Sequence, residues 1–212
     1  RKNAGLSYNL IGLCEPQAAV NAYRHWNGAR PGDIIFEDIN EDGVNDAEDR
    51  IRVNKNGDPT FTGGLTLGLQ ASNFDATVFF QGAAGAVQYL ETESGDIGNF
   101  LQSFAENRWT PENPSSTHPR AYNRQDEYWV GNNNTYFLRD TDYLRLKSVE
   151  LGYRLPDRLT SSVGMENMRV YVSGFNLLTW DSFKETDPES RNSSGQYYPQ
   201  APILNVGTSL TF

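Results

Sequence analysis

Cysteine is nearly absent: Cys14 is the only one among 212 residues. One thiol supports neither a disulfide framework nor a zinc cluster. Histidine is almost as scarce, and His25 and His118 lie far apart in sequence. Positive charge is in deficit, with 18 Lys+Arg against 27 Asp+Glu and a formal net charge of -9. Such a chain repels phosphate backbones, which argues for no nucleic-acid partner, whereas acidic loops suit divalent cations. Long apolar runs are missing too. Nothing approaches the roughly 18–20 apolar residues of a membrane helix, so helical spanning is excluded. A negative mean hydropathy does not exclude a β-barrel, whose strands alternate between two faces and average to mild values. No secretory leader opens the chain at Arg1, as expected of a piece of a longer precursor.

Catalytic signatures are lacking as well. There is no Gly-x-Ser-x-Gly elbow, no His-Glu-x-x-His and no phosphate loop. The acidic pairs Asp140/Asp142 and Glu185/Asp187 could in principle serve a glycosidase. Their setting is a strand edge and a polar loop, where carboxylates are usually solvated or cation-linked. The chain is therefore not expected to be an enzyme.

What is present is glycine, tyrosine and phenylalanine, at 19, 11 and 11 residues, the composition of a turn-rich β protein. Six segments alternate with period two and read as strands. They are Leu6–Gly12, Phe61–Ala71, Phe74–Gly82, Asp142–Arg154, Met168–Leu178 and Ile203–Phe212. In the second, Leu65, Leu67, Leu69 and Ala71 share one face, with Thr66, Gly68 and Gln70 on the other. In the last, Leu204, Val206, Thr208, Leu210 and Phe212 share a face. The fourth changes phase: Leu144 and Leu146 lie on one register, and Val149, Leu151 and Tyr153 on the other. A β-bulge near Lys147 and Ser148 would reconcile the two.

Short and long connections alternate. Ser72 and Asn73 alone link the second and third strands, and 155–167, led by Leu155-Pro156, link the fourth and fifth. The other three connections, 13–60, 83–141 and 179–202, are long. Loops of that length are uncommon in compact soluble domains. In an outer-membrane barrel they are the rule, with short periplasmic turns and long extracellular loops. Strands of roughly 9–11 residues suit a tilted span. Tyr153, Tyr171, Phe175, Trp180 and Phe212 sit near strand ends, where an aromatic girdle is expected. Within 83–141, Asn99–Trp109 reads as a short helix with Phe100, Leu101, Phe104 and Trp109 largely on one side; Trp109 is expected to pack within the folded loop.

The strongest local motif lies in the first long loop. Asp38, Asn40, Asp42, Asp46 and Asp49 occupy positions one, three, five, nine and twelve of a twelve-residue loop, with Gly43 at six. This is the spacing of an EF-hand calcium loop. Alternate side chains on a tight loop converge on one point and supply the hard oxygens Ca2+ requires. Val44 would add its backbone carbonyl. Asn45 stands where an apolar residue is usual, Asp49 replaces the usual glutamate, and the flanks do not read as helices. The expected cofactor is therefore a structural Ca2+ that closes the loop.

Several runs, in order, resemble one family: Gly5–Gly12, Asn27-Gly-Ala-Arg-Pro-Gly-Asp33, the acidic loop with Arg50, and Phe79-Phe-Gln-Gly82. Arg108-Trp-Thr-Pro-Glu-Asn113, Tyr143–Tyr153 with Leu155-Pro156, Arg169–Thr179, and Tyr198-Pro-Gln200 through Phe212 complete the series. Together they resemble the C-terminal region of SusC/RagA-type TonB-linked outer-membrane transporters of Bacteroidota. The resemblance implies an all-β fold, the C-terminal strands of a 22-stranded antiparallel transmembrane β-barrel with a plug elsewhere. It implies import of oligosaccharides or peptides, a SusD-like lipoprotein lid, energy from the TonB complex, contact with outer-membrane lipid, and Phe212 as part of the signal read by the barrel assembly machinery. A secreted soluble calcium-dependent β module that binds glycans is the alternative; it would need no detergent.

Overall fold

The computed structural model describes residues 5–13, 29–54, 56–91, 100–115, 117–121, 133–190 and 197–212. Cys14, His25, Asn27, Gly28 and Asn99 fall outside them. The chain divides into two compact units. One contains Arg1–Asp58, Ala86–Asp140 and Ser190–Tyr197; the other contains Pro59–Gly85, Thr141–Glu189 and Tyr198–Phe212.

The first unit, here called the loop unit, is built from short strands: β1 (Leu6–Tyr8), β2 (Leu10–Leu13), β3 (Ile34–Phe36) and β4 (Arg50–Arg52), with β7 (Val87–Tyr89) and β8 (Leu138–Asp140) further on. They form three antiparallel pairs, β1–β4, β2–β3 and β7–β8. The expected first barrel strand is thus corrected. Leu6–Gly12 becomes two short strands broken at Asn9, whose carbonyl accepts the Glu37 amide at 3.0 Å and whose Nδ2 donates to Glu37 Oε2 at 2.6 Å. Segments of three and four residues are too short to span a bilayer.

The core of this unit is Ile34, Phe36, Phe104, Tyr136 and Phe137, flanked by Tyr8, Leu10, Leu13, Ala29, Tyr89 and Phe100. The expected helix forms over Gln102–Asn107 and buries Phe104 against Phe100, with centroids 5.0 Å apart. The buried Asn134 accepts the Tyr136 amide at 3.1 Å, capping the turn Thr135–Phe137.

The second unit is the wall. It is a five-stranded antiparallel meander in the order β11-β10-β9-β6-β5. The strands are β5 (Phe61–Ala71), β6 (Phe74–Ala84), β9 (Tyr143–Arg154), β10 (Asn167–Asp181) and β11 (Ile203–Thr211). A two-residue turn joins β5 to β6, with Ser72 at φ 52°. A helical turn, Asp157–Thr160, begins beyond Pro156, and Gly164 at φ 72° ends the coil before β10. The pairings Ala71↔Phe74 and Phe74↔Tyr153 put both compact connections at one end of the sheet; Ala83↔Tyr143 and Tyr143↔Asp181 put the departures of the long ones at the other.

Candidate functional site

The register sorts every wall side chain onto one of two faces. Leu65 pairs with Phe80, Leu67 with Val78, Leu69 with Ala76 and Ala71 with Phe74. Those β6 residues lie opposite Leu146, Val149, Leu151 and Tyr153, and the rows continue through Val170, Val172, Gly174 and Leu178 to Leu204, Val206 and Thr208. This face is apolar but for Thr208, and among the described residues no strand or helix of the unit covers it. Leu69 is 68% exposed, Leu151 58%, and Val206 83%. A contiguous apolar surface of several hundred Å2 marks an interaction with protein or lipid. Its ends carry aromatics: Phe61 and Trp180 at one, Phe74, Tyr153 and Phe212 at the other. Tyr171 and Phe175 do not join these girdles. They pair in register with Gly152 and Ser148 and lie on the opposite face.

That opposite face is polar and ion-paired. Arg169 on β10 donates to Asp75 Oδ1 on β6 at 3.0 Å and to Glu150 Oε1 on β9 at 2.7 Å, so one guanidinium joins three strands. It does so by crossing Gly152, where an added Cβ would collide with the guanidinium. Gly207 likewise lies under the Tyr171 ring, and Gly64 under Phe79. Nearer the long connections, Arg145 is 2% exposed. Its Nε donates to Thr179 Oγ1 at 2.9 Å and its Nη2 to Asp187 Oδ1 at 2.9 Å; Nη1 reaches Glu189. Lys147 donates to Glu189 at 3.0 Å and to Gln200 Oε1 at 2.8 Å, and Tyr143 donates to Glu189 at 3.1 Å. Burial raises the Asp187 carboxyl, but the amides of Glu189 and Gln200 together with the Arg145 guanidinium outweigh it and hold the group below the usual carboxylate range.

The phase change of β9 keeps its leucines on the apolar face and Arg145 and Glu150 on the other. Phe79 pairs with Ser148 and Phe80 with Leu146, so Lys147 is the extra residue, where the sequence places a bulge. On β10 the pairing jumps from Phe175↔Ser148 to Leu178↔Leu146, and Asn176 absorbs the irregularity at φ 51°. Asn tolerates the left-handed region better than most residues.

In the loop unit, the acidic motif folds as a tight, self-bonded loop. The Gly43 amide donates to Asp38 at 2.9 Å, the Asp42 amide to Asn40 Oδ1 at 3.1 Å, and the Val44 amide to Asp42 at 2.8 Å. Asp49 is fully buried and accepts the Ile39 amide at 2.8 Å and the Asp46 amide at 2.9 Å. Gly43 has φ 89°, as the sharp turn requires. Among the described residues, no three acidic, histidine or cysteine side chains converge closely enough to hold a metal ion as placed. Two oxygens nevertheless fit a cation: Asp38 Oδ1 and Asn45 Oδ1 are both buried without a hydrogen-bond partner. The acidic pairs of the sequence have other duties, since Asp142 accepts the Gly85 amide at 2.7 Å and Asp187 holds Arg145.

Comparison with known proteins decides the family. No family model matches the chain. It is 31% identical over 199 residues to TonB-dependent receptor P3 of Formosa agariphila and 32% identical over 224 residues to TonB-dependent receptor P26 of the same organism. Those matches cover 86% and 96% of this chain. This is a segment of a TonB-dependent receptor. The receptor segment spans 19% and 22% of the lengths of those relatives. Its fold matches the RagAB peptide importer in the open-open state at TM-score 0.70 and 21% identity, covering 99% of this chain and 22% of that one. The closed-closed state matches at TM-score 0.67, again at 21% identity, covering 99% of this chain and 23% of that one. Sheet order, antiparallel pairing and one uncovered apolar face fit the C-terminal part of such a barrel. The curated relatives are named as receptors, and such proteins belong to the outer membrane.

Sequence reasoning missed two groups in this receptor segment. The Arg145–Asp187–Glu189–Lys147 cluster is hidden because its two cations lie about 40 residues from its two carboxylates, at 42 for Arg145 to Asp187. The Arg30–Asp33 turn shows in the sequence only through the family resemblance. Gly32 at φ 84° lies beneath Trp109, and the buried Asp33 meets Arg120 at 2.6 Å. Trp109 is therefore a packing residue of the loop unit, as its place in the sequence leads one to expect.

Proposed function

We propose that the chain forms barrel wall and cell-surface loops of a TonB-dependent transporter that imports oligosaccharides or peptides with a SusD-like lipoprotein. The observation that supports this reading is the sheet's sidedness. An uncovered apolar face suits outer-membrane lipid, and the ion-paired face suits an aqueous interior. The likeness to the RagAB peptide importer points to peptide or another extended oligomer as cargo. The TonB complex would supply energy and the barrel assembly machinery would insert the chain, with Phe212 in its recognition strand. Purification of the full-length protein from outer membranes tests the reading. It is expected to require detergent, to shift in gel mobility on boiling, to bring down a surface lipoprotein, and to lose cargo uptake when a protonophore removes the energy supply. A protein that purifies without detergent as a monomer would instead be the soluble glycan-binding module.

We also propose a structural Ca2+ in the loop Asp38–Asp49. Asp38, Asn40, Asp42 and Asp46 would supply side-chain oxygens and Val44 its carbonyl. Asp49 would hold the loop through the Ile39 and Asp46 amides and close the ligand set. The unpartnered Asp38 oxygen supports the reading. Calorimetric titration of the detergent-purified protein is expected to show calcium binding that Asp42→Ala weakens at least tenfold, a loss of about 1.4 kcal/mol. Equal affinity in the variant would remove the site.

A further inference from the structure

The two ionic clusters on the polar face of the wall are built differently. Arg169 takes its carboxylates from strands of the sheet itself, Glu150 on the adjacent β9 and Asp75 on β6 beyond it. Arg145 and Lys147 do not. Among the described residues, the carboxylates at ion-pair distance from them are Asp187 and Glu189, which belong to the connection after β10. The same connection is closed on itself where the Gln200 amide donates to Asp187 Oδ2 at 3.1 Å. Beneath it lie Gln81, Arg145 and Thr179, which share one cross-strand row. Gln81 Nε2 approaches Glu189 at 3.4 Å.

We propose that Ser182–Glu189 is a strap latched over the aqueous face of the wall, with Arg145 as its positioning residue. The proposal rests on the barrel reading above, which makes this face the inside of the passage. The strap does two things there. It occupies space along the wall, so the passage is narrower where it lies. It also neutralises two cations to which, among the described residues, the strands offer no carboxylate at ion-pair distance. A lifted strap would leave the wall both wider and locally positive, a surface that draws anionic groups. The fork of Arg145 is what allows one side chain to hold two carboxylates and a hydroxyl at once; a lysine ammonium lacks that fixed geometry.

Cysteine labelling tests the strap in the full-length protein, in a Cys14→Ser background and in lipid vesicles. Gln81→Cys places a thiol under the strap, and Val78→Cys places one on the apolar face. With the strap latched, a bulky sulfonated maleimide is expected to label position 81 slowly. Combining Asp187→Asn with Glu189→Gln should raise that rate at least tenfold, with gel heat-modifiability unchanged. Arg145→Lys should give an intermediate rate. Lys147→Gln, a gentler change, should raise it two- to threefold and serves if the double variant does not assemble. Equal labelling of position 81 in latched and unlatched proteins would overturn the strap. Faster labelling of position 78 than of 81 in every variant would instead overturn the sidedness of the wall.

Discussion

Glycine does its work in this wall at single positions on the polar face. Gly152 leaves room for the Arg169 guanidinium to cross β9 and reach Asp75. Any side chain there must displace Arg169 or bend the strand. Gly152→Val is therefore expected to destabilise the barrel by about 1–3 kcal/mol, the usual cost of overpacking. Urea unfolding of the detergent-solubilised protein, followed by its heat-modifiable mobility, measures this. The cause is separable by a double-mutant cycle. In an Arg169→Ala background the clash has no partner, and Gly152→Val should cost less than half as much. Additive losses in the cycle would show that backbone strain, not the guanidinium, sets the requirement.

At the scale of an element, β9 shows how one inserted residue keeps a strand amphipathic along its length. Period-two alternation from Tyr153 back to Val149 predicts Arg145 on the apolar side and Leu144 and Leu146 on the polar side. The bulge at Lys147 inverts that assignment, so Arg145 reaches the strap while both leucines stay with Phe80 and Gly82. Deleting Lys147 alone would remove the bulge and leave Arg145 opposite Gln81 on the polar face, whereas deleting Lys147 and Ser148 together would turn Arg145 towards lipid, where an arginine at mid-depth costs about 2–4 kcal/mol, and would break its contacts with Asp187 and Glu189. The double deletion is expected to abolish assembly, read as loss of the heat-modifiable band from outer-membrane fractions, whereas the single deletion of Lys147 should assemble. This phase change is legible in the sequence because both half-patterns are strong. Other assignments fail for physical reasons that spacing does not carry. Nearness to strand ends puts Tyr171 and Phe175 with the girdle, but their odd positions in β10 pair them with Gly152 and Ser148 on the other face. Leu6–Gly12 alternates well enough, yet its backbone bonds go to β3, β4 and Asn133. The strap is invisible to pattern reading, since Asp187 and Glu189 look like any acidic loop residues until Arg145 is placed beside them.

For the whole molecule, the two units divide two problems. The wall places apolar side chains on one face and satisfies its polar groups on the other, so it needs lipid outside and water inside to be stable. The loop unit carries its own core of Ile34, Phe36, Phe104, Tyr136 and Phe137, which lets long connections hold a fixed shape in water. These demands make a residue-by-residue forecast that a soluble module would not share. Val172 is half exposed on the apolar face, while the adjacent Ser173 is buried on the polar face. A small fluorophore attached to Val172→Cys in vesicles is expected to be quenched by nitroxides carried on lipid acyl chains and to resist iodide. The same label on Ala76→Cys and Val206→Cys, which lie on the same face, should behave alike, and labels at Thr77→Cys and Asn205→Cys should show the reverse. Alternation of this kind across three strands requires a bilayer against one face of the sheet. Quenching that is uniform along each strand would mean that the apolar face is covered by protein rather than by lipid.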